Sequence, residues 1–277
     1  MAEKKYTPMM QHYLKMKEEN PESILFYRLG DFYEMFFEDA KLVSQELDLV
    51  LTGRSAGVEE KVPMCGIPFH AANSYIQRLV KKGYKVAICE QLEDPSSAKG
   101  LVDRGIIKII TPGTYMDATM DAKSTNYMAS CDVSSFEITV IYCELSTGEL
   151  KYQTLQRSLV ALQKALLEQN VSELVCPMTM DKKWMAALEE MDTMLISKHK
   201  KANIDPEDLP LLNGIESESL KEAFALLMAY LKDTQKQRID HFLPIESMDK
   251  DKVLVMDYET KNHLELVSRQ IYHALDI

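Results

Sequence analysis

The chain has 277 residues, 46% apolar and 27% charged, which allows about two domains with buried cores and matches soluble globular proteins. No apolar run approaches the roughly 20 residues of a membrane helix, no secretory signal follows Met1-Ala2-Glu3-Lys4-Lys5, and five cysteines without paired spacing fit reduced thiols in a cytosol. The net charge of −11 argues against nucleic acid and for a protein partner, but it is uneven. Residues 1–115 hold 15 Lys+Arg against 16 Asp+Glu, a net −1, whereas residues 116–277 hold 17 against 27, a net −10.

In chain order, Thr7-Pro8 predicts an N-cap followed by proline at the first helical position, opening a helix to about Glu19. A strand over 23–29 ends at a Gly30-Asp31 turn, and Phe32 onward reads as a helix to Leu47. A strand over 49–53, a loop rich in Gly, Ser and Glu, a helix over 71–82 stopped by Gly83, and strands over 84–91 and 105–111 complete an α/β unit with a mixed sheet. Residues 114 to about 125 are polar and irregular, a candidate linker. Beyond it come strand-like runs from Tyr127 to Asp132 and from Glu137 to Leu145, then a third strand after the turn at Ser146-Thr147-Gly148-Glu149. Helices near 157–168, 181–190 and 216–232 follow, with a strand over 172–176.

The stretch Arg28-Leu29-Gly30-Asp31-Phe32-Tyr33-Glu34-Met35-Phe36 admits two readings. In the first, Asp31 is an N-cap, Glu34 completes a capping box, and Phe32, Phe36, Ala40, Val43 and Leu47 form one buried helical stripe. In the second, Phe32 wedges between stacked bases while Glu34 hydrogen-bonds an exposed base edge. A zinc site from Cys65, His70 and Cys89 lacks the close paired spacing such sites have. Asp132, Glu137 and Glu144 raise a metal-dependent nuclease, but Glu137 and Glu144 differ by an odd number and fall on opposite faces of one strand. Trp184, beside Met185 and Leu188, reads as core.

Seven ordered blocks carry a more specific signal. They are Thr7-Pro8-Met9-Met10-Gln11-His12-Tyr13; Phe26-Tyr27-Arg28 leading into Gly30-Asp31-Phe32-Tyr33-Glu34; Pro63-Met64-Cys65-Gly66-Ile67-Pro68-Phe69-His70-Ala71; Val86-Ala87-Ile88-Cys89-Glu90-Gln91; Asp94-Pro95; Lys99-Gly100; and Thr111-Pro112-Gly113-Thr114. Together they resemble the opening of bacterial MutS mismatch-repair proteins over roughly residues 7 to 115. Val253 to Leu266 is similar to the start of the MutS core domain, without the glycine- and lysine-rich turn that follows in the family.

The resemblance implies a mixed-sheet mismatch-recognition domain over 1–115, a ribonuclease-H-like connector over 116–238, and a helical stub of the core domain over 239–277. It implies that Phe32 stacks on a mispaired base from the minor groove and that Glu34 bonds that base and repels homoduplex phosphates. Arg54 and Arg104 are the expected phosphate contacts, with Lys61 and Lys108 behind them, and Met64 reaches the minor groove or packs in the core. His70 is expected to order its loop, and Tyr33 to be structural. Implied partners are mismatched duplex DNA, a MutL-type protein through the connector, and a second copy in the full-length family, all in the cytoplasm. No cofactor is expected for this chain: ATP and magnesium serve the full-length family, and no G-x-x-x-x-G-K-[ST] phosphate cradle occurs here. A protein-interaction module without DNA affinity and a nuclease are the alternatives.

Overall fold

The computed structural model describes residues 6–93, 102–116 and 125–248. The first unit runs α1 (Pro8–Glu19), β1 (Ser23–Leu29), β2 (Phe32–Phe36), α2 (Phe37–Leu47), β3 (Thr52–Arg54), β4 (Val62–Pro68), a 3-10 turn at Phe69–Ala71, α3 (Ala72–Lys81), β5 (Lys85–Gln91) and β6 (Arg104–Ile110). Its mixed sheet has the order β3-β4-β2-β1-β5-β6, with only β1 and β5 parallel. The helix α1 covers one face, packing Met10, Tyr13 and Met16 against Leu25, Tyr27, Phe36 and Cys89. The helices α2 and α3 cover the other, where Val43, Leu47, Ile76 and Leu79 meet Phe26, Met35, Ile67 and Ile88. Buried Asp39 ties the layers together, accepting from Lys17 Nζ at 2.8 Å and from the Leu25 amide at 2.9 Å.

The second unit runs β7 (Tyr127–Val133), β8 (Glu137–Glu144), β9 (Glu149–Gln156), α4 (Leu159–Glu168), β10 (Val171–Pro177), α5 (Lys182–Glu189), β11 (Leu195–His199), α6 (Glu218–Gln235) and β12 (Glu246–Ser247). The sheet order is β11-β10-β7-β8-β9-β12. Strands β7, β8 and β9 are antiparallel neighbours, and β10 and β11 run parallel to β7. The helix α6 packs on one face through Phe224, Leu227 and Tyr230. Leu162, Leu166, Met185 and Leu188 of α4 and α5 pack on the other, with Trp184 joining that cluster as expected.

One buried carboxylate joins the two units. Glu173 of β10 is fully buried and receives four donors: the Thr111 hydroxyl, the Gly113 amide at 3.0 Å, the Ser197 hydroxyl at 2.5 Å and the Tyr230 hydroxyl. Thr111 and Gly113 follow β6 directly, so this carboxylate fastens the end of the first sheet to the second unit. Gly113 has no room for a side chain, since a Cβ there would lie 2.9 Å from the Glu173 side chain and from Met128. Thr111 and Thr114 are thus buried, and of the linker expected over 114–125, residues 117–124 lie outside the described ones. Asp94-Pro95, Lys99-Gly100 and the core-like stretch from Val253 also lie outside them.

Several expectations need correction. The predicted helix over 32–47 is two elements, a strand to Phe36 and a helix from Phe37, whose positive φ of 54° marks the break. Pairing with both β1 and β4 overrides the 3.6-residue spacing, and aromatic residues suit a pleated surface. Asp31 and Glu34 therefore form no helix cap; Gly30, at φ +57°, makes the hairpin turn instead. Thr7 precedes a helix with Pro8 at its start, but its side chain makes no cap bond. The loop expected before residue 71 contains β4, which Pro63, Gly66 and Pro68 concealed in the sequence. The strand expected over 49–53 is the three-residue β3, and β11 was not expected at all.

Candidate nucleic-acid interface

Side chains on a strand alternate between faces, and residues paired across strands share one. Phe32 pairs with Leu29 and Pro68, Glu34 with Tyr27 and Gly66, and Phe36 with Met64. Phe32, Glu34 and Phe36 thus line the face covered by α1, whereas Tyr33 and Met35 point into the opposite core. Cover falls away toward the hairpin tip: Phe36 is fully buried, Glu34 is partly exposed, and Phe32 is 47% exposed. A large phenyl ring is therefore held half in solvent at the edge of a well-packed sheet. The buried-stripe reading of Phe32 is overturned. Tyr33 is structural as expected, but because of strand alternation; its hydroxyl donates to Glu90.

Beside the ring sits an ion pair. Arg54 of β3 donates to the Glu34 carboxylate, and its guanidinium carbon lies 5.9 Å from the centre of the Phe36 ring. The salt bridge spans from β3 to β2 across β4, where Gly66 adds no side chain next to Glu34. Arg54 keeps 36% of its side chain exposed, so its charge reaches solvent while it holds Glu34. The other expected contacts differ in exposure. Arg104 is 7% exposed, and its guanidinium donates to the Arg28 and Val102 carbonyls at 2.9 Å each. Its donors are committed inside the fold, so the structure gives it a bracing position rather than an outward one. Lys108 sits half-buried on β6, and burial lowers its pKa. Lys61 is exposed and its stem lies across Gly53. Met64 packs partly buried against the cluster under α1, its sulfur 3.7 Å from the Thr52 hydroxyl.

The metal readings lose their geometry. Cys65 packs in the core under α2 and α3, Cys89 in the core under α1, so the sheet itself separates them. Burial pushes both thiols up to about 12. His70 is exposed, its ring 5.9 Å from that of Phe69. Asp132 accepts from Lys201 at 2.9 Å and from Ser219 at 3.0 Å. Glu144 caps a turn at the far end of β8 through Ser146 and Thr147, roughly 23 Å from Glu137 at the strand's rise per residue. Among the described residues, no group of three or more His, Cys, Asp or Glu is placed to hold a metal ion.

The family resemblance gave Phe32, Glu34 and Arg54, and the structure brings Glu34 and Arg54 together beside Phe32. It missed Arg28, Phe69 and Glu90, which pack behind the hairpin, although all three stand inside the quoted blocks.

Residues 7–119 match the family described as MutS domain I. The DNA mismatch repair protein MutS of Bacillus licheniformis is 43% identical over 265 residues, covering 94% of this chain and 30% of that protein. Those of Clostridium tetani and Bacillus subtilis are each 41% identical, over 273 and 262 residues, and again 30% of each relative is covered. The chain spans about three tenths of the length of these relatives. With its opening blocks in order, its domain I match and this identity along nearly its whole length, the chain belongs to the MutS family.

Proposed function

We propose that this chain recognises mispaired or unpaired bases in duplex DNA, with Phe32 as the wedge and Glu34 as the base contact. The observation that carries the reading is the half-exposed Phe32 ring at the hairpin edge, beside a Glu34 carboxylate held by Arg54. A ring so placed can enter a stack from the minor groove, and entry costs less at a mismatch, which is already poorly stacked. Arg54 meets two anions in turn: Glu34 in the free protein, a backbone phosphate on DNA. Homoduplex offers Glu34 no base to bond, so its charge works against binding there.

Residues 1–115 form the recognition domain in this reading, and 116–238 the connector. The order β9-β8-β7-β10-β11, with the first three strands antiparallel, supports a ribonuclease-H-like connector. The net −10 of residues 116–277 suits a protein-facing surface, in keeping with a MutL-type partner and a second MutS copy as its neighbours. ATP and magnesium chemistry needs a phosphate cradle that this sequence does not carry. Among the described residues no helix is long and apolar enough to cross a membrane; in this reading the chain works on DNA in the cytoplasm.

Glu34→Ala tests the reading in a complete MutS chain carrying these residues. Homoduplex affinity should rise and mismatch affinity fall, because one change removes a repulsive charge and a base contact. Equal shifts on both duplexes, measured at one salt concentration, would sink the assignment. The isolated 277-residue chain should bind DNA weakly and with little mismatch preference, since it carries about three tenths of its relatives' length. A tight, mismatch-selective complex in a gel shift at physiological salt would show otherwise.

A further inference from the structure

The face of the β1–β2 hairpin opposite Phe32 carries a cluster that the wedge reading leaves unused. Arg28 pairs with Tyr33 across the hairpin and shares its face. The Arg28 Nε donates to the Gly30 carbonyl at 2.5 Å, a terminal nitrogen lies 3.4 Å from the Glu90 carboxylate, and the guanidinium carbon sits 3.6 Å from the centre of the Phe69 ring. The Tyr33 hydroxyl donates to the same carboxylate. Phe69 in turn donates its amide to the Asp31 carbonyl at 2.9 Å. Both turn residues are thus gripped, Gly30 by Arg28 and Asp31 by Phe69, and the grip reaches β5 through Glu90.

A wedge works only if its backbone resists the duplex. Bending the duplex costs elastic energy, and the reaction force on Phe32 passes into this two-residue turn. A turn built on glycine at positive φ has little stiffness of its own. A planar guanidinium stacks on a ring, bonds a carbonyl and meets a carboxylate at once, which a lysine ammonium cannot do.

We propose that Arg28, stacked on Phe69 and paired with Glu90, is a positioning residue that holds the Phe32 hairpin rigid against deformed DNA. The proposal rests on the wedge reading above. Its test compares Arg28→Lys, Phe69→Leu and Phe32→Ala in a complete MutS chain carrying these residues. Two quantities are read: the mismatch-to-homoduplex affinity ratio, and the fluorescence of 2-aminopurine placed beside the mismatch, which rises as the base unstacks. Arg28→Lys keeps the charge and Phe69→Leu keeps apolar bulk at a position already 41% exposed, so neither change alters net charge. Each should lower the ratio about three- to tenfold, roughly 0.6–1.4 kcal/mol, less than the whole of one base–aromatic stack. Each should also blunt the fluorescence rise, and neither should lower the ratio further once Phe32 is alanine. If Arg28→Lys disturbs folding, Phe69→Leu decides alone. A ratio within twofold of the parent in the folded variants, with Phe32→Ala still lowering it, overturns the brace and leaves the wedge standing. A ratio unmoved by Phe32→Ala overturns the wedge reading and the brace with it.

Discussion

Replacing Phe32 by alanine should lower mismatch affinity by about one to two decades, since base–aromatic stacking is worth roughly 1–3 kcal/mol and 1.4 kcal/mol is about tenfold. Homoduplex affinity, carried by phosphate contacts, should change much less, so the ratio between the duplexes collapses. Folding stability separates this outcome from a packing defect. The ring is 47% exposed, and substitutions away from the core usually stay within about 0.5 kcal/mol, so the melting midpoint should barely move. Both affinities are measured at one salt concentration in a complete MutS chain carrying these residues, and unfolding is measured on the 277-residue chain. An intact ratio would remove Phe32 from the recognition machinery. A large stability loss would return it to the core.

The same residue shows what the sequence can and cannot disclose. Phe32, Phe36, Ala40, Val43 and Leu47 fit a helical stripe, yet Phe32 and Phe36 lie on a strand and only the later three on α2. Spacing over so short a window does not distinguish period 3.6 from period 2 when apolar residues are dense, and the pairing with β4 that decides it is non-local. The β4 strand was hidden because its prolines and glycine read locally as loop. Strongly patterned stretches fared better: α1, β1, β5, β7, β8 and α4 lie close to where local signals put them. At the candidate interface, the family resemblance pointed to Phe32, Glu34 and Arg54, but no periodicity could say that Arg54 bonds Glu34 from two strands away. Arg104 illustrates the converse, since a charge that the resemblance assigns to a phosphate is turned inward onto two backbone carbonyls.

The largest stability effect should come from Glu173. Its carboxylate is fully buried and meets four hydroxyl or amide donors, with no Lys or Arg among them. Burial, followed by the Glu173 charge itself, holds the Tyr230 hydroxyl well above the usual tyrosine range, so it remains a donor. Glu173→Ala would strand those donors in a cavity. An unsatisfied buried polar group costs about 1–3 kcal/mol, and because hydroxyls can turn to other acceptors, the net loss should be roughly 2–4 kcal/mol. At about 2–4 °C per kcal/mol for a chain of this size, the melting midpoint should fall by roughly 5–15 °C. Glu173→Gln should cost less. Its carbonyl can still accept from Thr111 and the Gly113 amide, while its amide donates to the Ser197 and Tyr230 hydroxyls once these turn to accept. The ordering of alanine below glutamine below parent, read by thermal and denaturant unfolding of the 277-residue chain, is the expected result. If alanine stays within about 0.5 kcal/mol of the parent, the spread of an ordinary surface change, the carboxylate fastens nothing. If it falls as expected, the Thr111-Pro112-Gly113-Thr114 block has a physical reason in this chain: it supplies the hydroxyl, the amide and the side-chain-free space that dock the end of the first sheet onto Glu173.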